Sequence, residues 1–204
     1  GDNPFEHMNT LIAIDTIKNQ GNRAVPYNTG LTFEDGVDFF IKLDGLTSSA
    51  VLVDRYYDKF YYQYGHQLNM IDTIPEANLK DSGVFHPIRF AVNKQMTIPS
   101  TGETIPFQAY ETGRLRHGIG NPSSEEYDSL ADFYVDREKS MIELRVPWLL
   151  LNIKDPSSKE ISGNLWEHGI EAIEPIDHIK VGAFTYKPTE DSLATVVEEG
   201  ANLQ

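Results

Sequence analysis

The chain has 204 residues and a mass of 23.0 kDa, which suits one domain with generous loops. Its 40% apolar and 24% charged content is ordinary globular usage, not that of a disordered chain. Acidic side chains (31) outnumber basic ones (17), and the resulting charge of −14 repels nucleic-acid phosphates and anionic membrane surfaces alike. With no cysteine at all, disulfides, thiolate metal sites and cysteine nucleophiles are excluded.

No apolar run approaches the ~20 residues of a membrane-spanning helix, so this segment is not expected to insert into a bilayer. The opening Gly1-Asp2-Asn3-Pro4 carries neither an initiator Met nor a basic-then-apolar signal, and reads as part of a longer protein. Residues 1–204 show no internal repeat and no dividing linker, which predicts a single domain.

In chain order, Leu11 to Ile17 is rich in β-branched residues and stops at the turn-prone Asn19-Gln20-Gly21-Asn22, predicting a strand. Val37 to Asp44 and Ala50 to Asp54, separated by Gly45 and Thr47-Ser48-Ser49, predict two antiparallel strands joined by a short loop. Pro87 to Val92 is a further strand candidate, and Thr97 to Pro106 turns tightly at Ser100-Thr101-Gly102-Glu103.

Ser140 to Val146 has the clearest alternation, with Ile142, Leu144 and Val146 on one face and Met141, Glu143 and Arg145 on the other. Pro147-Trp148-Leu149-Leu150-Leu151 then reads as one helical turn, and Ile179 to Tyr186 as the last strand. Helical signals are otherwise few: a cap at Ser123-Ser124-Glu125-Glu126, and a terminal segment from Asp191 to Glu199. Many short strands without long amphipathic helices predict an all-β fold, a two-sheet antiparallel β-sandwich of jelly-roll type with short helical turns.

The densest chemistry is in Asp54-Arg55-Tyr56-Tyr57-Asp58-Lys59-Phe60-Tyr61-Tyr62-Gln63-Tyr64. One reading is a sugar platform, in which flat rings cover a pyranose while Asp and Arg bond its hydroxyls. The other is structural, because Tyr57, Phe60, Tyr61 and Tyr64 fall at helix-like spacing and can form one packed face.

Acids recur at strand ends (Asp15, Asp35, Asp38, Asp54, Asp58, Asp128, Asp132, Asp136). That composition makes calcium a candidate cation, although no segment has the spacing of a calcium loop; a solvated acidic face is the alternative. The basic cluster Arg114, Arg116 and His117 can meet an acidic partner or the chain's own carboxylates. Single histidines without HExxH, and the absence of a Gly-x-Ser-x-Gly elbow or a phosphate loop, offer no enzyme motif. Of the two tryptophans, Trp148 reads as core. Trp166, within the polar Gly163-Asn164-Leu165-Trp166-Glu167-His168-Gly169, reads as the better exposed ring.

The stretch Asp132-Phe133-Tyr134 followed by Met141-Ile142-Glu143-Leu144-Arg145-Val146-Pro147-Trp148 resembles the late-strand signature of family 9 carbohydrate-binding modules and the wider DOMON-like β-sandwich group. Gly36 to Asp44 and Ile179 to Phe184 fit as further strands of that pattern. The resemblance implies a jelly-roll-like sandwich and an accessory domain of a bacterial extracellular or cell-surface protein. Such modules clamp a sugar between two exposed tryptophans. Trp148 falls at the buried position of the strand motif, so only Trp166 is left for a clamp. Haem-binding members use Met and His ligands, for which Met70 offers no recognisable equivalent.

Together these readings give a non-catalytic recognition domain for carbohydrate, with Tyr56, Tyr57, Tyr61 and Trp166 stacking and Asp54, Asp58 and Arg114 hydrogen-bonding. The expected partners are a glycan and a neighbouring domain of the same polypeptide. The alternatives are a scaffold packed on a catalytic domain, or a glycoside-processing enzyme with Asp54 and Asp58 as its nominal acids.

Overall fold

The computed structural model describes residues 8–27, 30–70 and 81–188. Strands hold 41% of it and helix 11%, so the fold is all-β as the short β-branched segments predicted. Its centre is a five-stranded antiparallel sheet in the order β16-β1-β4-β5-β6: β16 (Lys180–Tyr186), β1 (Asn9–Asp15), β4 (Phe39–Leu43), β5 (Ala50–Asp54) and β6 (Phe85–Pro87).

β4 and β5 are buried at every position, which explains their continuous apolar runs. Both faces of the sheet are covered. On one, Phe39, Ile41, Leu43, Val51 and Val53 pack with Leu115, Phe133, Ile153 and Ile161. On the other, Leu11, Phe40, Leu52 and Phe85 pack with Val25, Tyr27 and Val37. A strand with no wet face still holds Lys42, because its ammonium lies 3.1 Å from Asp44 and 5.7 Å from the centre of the Tyr27 ring.

The other strands form smaller sheets. β2 (Asn22–Ala24) pairs β3 (Thr32–Val37), and β7 (Phe90–Asn93) pairs β10 (Gln108–Tyr110). The predicted turn at Ser100–Glu103 joins β8 (Met96–Thr97) to β9 (Thr104–Ile105), and β11 (Phe133–Asp136) pairs β12 (Met141–Leu144). A three-stranded sheet runs β13 (Ile153–Asp155), β14 (Glu160–Ser162) and β15 (Ile173–Pro175).

These six sheets do not establish the expected two-sheet sandwich. Register shifts interrupt the β2–β3, β7–β10 and β13–β14 ladders, and Pro87 and Pro106 have no N–H to extend theirs. The segment read as one strand from Pro87 to Val92 is likewise divided between β6 and β7.

Leu144 and Val146 pack on the core as their alternation predicted, whereas Ile142 is 40% exposed near the end of its two-stranded ribbon. Trp148–Leu151 forms the expected helical turn, with Pro147 immediately before it. Ser123 to Tyr127 forms turns rather than a capped helix, and the Asp191 to Glu199 expectation lies outside the described residues.

Candidate functional site

The aromatic segment is a closed knot. β5 ends at Asp54, whose Oδ1 accepts from the Tyr56 N–H at 2.8 Å, starting a single turn over Arg55–Tyr57. Asp58 then caps α1 (Lys59–Tyr62), its Oδ1 accepting from the N–H groups of Phe60 and Tyr61 at 2.9 and 3.0 Å. The second oxygen of each acid is also engaged: Ser82 donates to Asp54, and the Asp58 Oδ2 lies 2.8 Å from Nε2 of His86. Burial pushes the Asp54 carboxyl above the usual carboxylate range.

Tyr56, Tyr57, Tyr61, Asp54 and Asp58 are all buried. The Tyr56 hydroxyl donates to Asn164 Oδ1 at 3.1 Å, and Asn152 Nδ2 donates to the Tyr57 carbonyl at 2.9 Å. The Arg55 guanidinium lies over the Tyr61 ring, 5.6 Å from its centre. Trp166 joins the same knot half-buried, its indole N–H donating to the Tyr56 carbonyl at 2.8 Å. The expected single packed face is not formed: Tyr57 belongs to one core cluster, Tyr61 and Tyr64 to another, and the partly buried Phe60 packs against both.

Arg114 is not part of that group. It lies beside Ala50, at the opposite end of β5 from Asp54, and pairs with Glu111 at 3.1 Å. Arg116 meets Asp128 at 2.7 Å, so both arginines of the basic cluster engage the chain's own acids, while His117 packs against the rings of Phe133 and Tyr134.

The exposure order of the tryptophans is the reverse of that expected. Trp148 opens the turn after Pro147 and is 51% exposed, while Trp166 is held against the knot.

A separate polar cleft of about 610 Å³ lies beyond the end of β1, and no sequence motif announced it. Its walls are the turn after Asp15, the Glu34–Gly36 part of β3, and the segment from Pro175 to Lys180; Arg23, Asp81 and Tyr57 also line it. The turn can close on β3 only because Gly36 has no side chain, since a Cβ there would collide with the Gln20 carbonyl oxygen.

Beneath the turn sits Asp38, fully buried, its Oδ2 accepting from the N–H groups of Thr16 and Ile17, both at 2.8 Å, and from the Thr16 hydroxyl at 3.0 Å. Burial raises the Asp38 carboxyl to about 7 despite those bonds.

The charged centre of the cleft is Lys180. Its ammonium is 2.6 Å from Asp35 and 3.3 Å from Asp15, the latter its cross-strand partner in the β1–β16 register. Burial pushes the Asp15 carboxyl up, whereas the hydrogen bond from Lys180 pulls Asp35 down, and the two acids raise Lys180. One ammonium thus occupies the space where two carboxylates would otherwise attract a cation. Among the described residues, no group of three or more His, Asp or Glu could hold a metal ion.

Such a cleft offers charged acceptors, a charged donor, the imidazole of His178 and an aromatic side chain to a hydroxyl-rich ligand. Comparison with family models, with curated proteins and with solved structures finds no match to this chain. The resemblance to family 9 carbohydrate-binding modules is therefore without support from them.

Proposed function

We propose that this chain is a non-catalytic recognition domain that binds carbohydrate in the polar cleft, as an accessory part of an extracellular or cell-surface protein. The observation that carries the reading is the cleft, where Asp15, Asp35 and Lys180 converge over an opening large enough for a sugar unit. Neutral glycans fit an acidic protein better than anionic ones, because they bring hydroxyls without adding like charge. In this reading the sandwich topology serves only to bring the β1 and β16 ends together. Asp54 and Asp58 act as helix caps rather than as a catalytic pair.

A glycan array or calorimetric titration of the chain tests this. Neutral oligosaccharides bind, and Asp35→Asn or Lys180→Met weakens them; an array with no bound glycan removes the reading.

A second reading, a scaffold packed against a neighbouring domain, draws support from the enclosure of every tyrosine singled out for the platform. Pull-down of a second domain of the parent protein, unaffected by cleft substitutions, would favour it.

A further inference from the structure

Next to the cleft is an apolar groove of about 240 Å³, formed by Trp148, Ile153, Pro156 and Ile179. Its floor is Ile153, which belongs to the core, and its rim carries Lys159, Asp177 and His178. The backbone N–H of Ile176 donates to the Lys159 carbonyl at 2.9 Å, tying the two sides together. Groove and cleft lie on either side of one segment, because Ile176, Asp177 and His178 line both. A half-exposed indole thus stands at the edge of a single-ring apolar recess that opens directly onto charged hydrogen-bonding groups.

That combination selects the ligand chemistry. A purely apolar ligand would leave Asp177, His178 and the cleft charges without use, and an anion would face a protein of net charge −14. A pyranose has an apolar C–H face for an aromatic ring and hydroxyls around its perimeter for the rim.

Building on the cleft reading, we propose that Trp148 is the stacking platform of the same site, holding one neutral sugar ring in the groove while the adjoining sugar occupies the cleft. The ligand is then at least a disaccharide, and the segment 176–178 is the divide between two subsites.

The test titrates the chain with neutral gluco-, xylo- and manno-oligosaccharides of one to four units, read by calorimetry and tryptophan fluorescence. Trp148→Ala is expected to weaken binding about tenfold or more, with Trp148→Phe keeping most of the affinity, since an aromatic ring can still stack. Disaccharides should bind more tightly than monosaccharides, and ligand should shift the indole emission in the parent chain but not in Trp148→Ala. Circular dichroism and melting temperature check that both variants are folded.

If Trp148→Ala binds as tightly as the parent while Asp35→Asn is impaired, the stacking role is overturned and the cleft reading stands. Phe as damaging as Ala in a folded protein also overturns stacking. If the parent chain binds none of the sugars, both readings fall together.

Discussion

The aromatic knot after β5 and the cleft beyond β1 contain similar residues: aspartates, a histidine and tyrosine. What separates them is enclosure: the knot's acids and rings are buried, whereas Asp35 and Lys180 stand exposed at an open cleft. In the knot, Asp54 and Asp58 cap the backbone immediately after them, and the rings fold onto Asn152, Asn164 and Trp166. In the cleft, Asp15 of β1 and Asp35 of β3 share the ammonium of Lys180 from β16. Groups enclosed by their partners make a core; charges paired at the rim of an open cleft leave a surface that can hold a ligand.

The sharpest way to break this contrast is Tyr61→Ala. As a buried ring it should cost about 3–5 kcal/mol, lowering the melting temperature by roughly 10 °C, with sugar affinity unchanged in the folded protein. Lost binding without lost stability would return the knot to the role of platform.

Gly36→Ala comes next. The Cβ pressed against the Gln20 carbonyl should cost about 1–3 kcal/mol in urea unfolding and distort the cleft wall, so affinity falls with stability.

Asp38 sharpens the comparison through pH. Its folded-state value near 7 exceeds the ordinary 3.8, so the native state holds the extra proton between those limits. Its contribution is complete below about 3.8 and is lost as pH rises towards 7. Asp38→Asn should flatten that part of the stability–pH profile, and an unchanged slope in urea titrations would exclude Asp38 as its source.

The smallest effect is expected at Arg114, whose exposed pairing with Glu111 is worth little. Arg114→Ala should shift neither melting temperature nor sugar affinity measurably; lost affinity would move the ligand to that end of β5.

Much of the central sheet was legible. Ala50 to Asp54 matches β5 residue for residue, and β1 and β16 agree to within two residues, because short runs rich in apolar and β-branched residues mark strands. Helix-like spacing of Tyr57, Phe60, Tyr61 and Tyr64 signalled burial but not its division between two core clusters. The cleft was not legible: the β1–β16 register sets Asp15 opposite Lys180, and Asp35 reaches the same ammonium from β3, a pairing that no local spacing announces. The tryptophans misled for a related reason. Trp166 has a polar local sequence but packs on a residue 110 positions away, while Trp148 opens a leucine-rich turn and is 51% exposed.

The position of β1 between β16 and β4 also dictates an order of assembly. Asn9 is opposite Tyr186, so the first described strand is hydrogen-bonded on one side by the last described strand. At about 5–20 residues per second on a ribosome, that side stays unpaired for roughly ten seconds or more after β1 emerges. Such distant pairing belongs to slow folding topologies, and ribosome-bound chains stalled before residue 180 would lack both the completed sheet and Lys180.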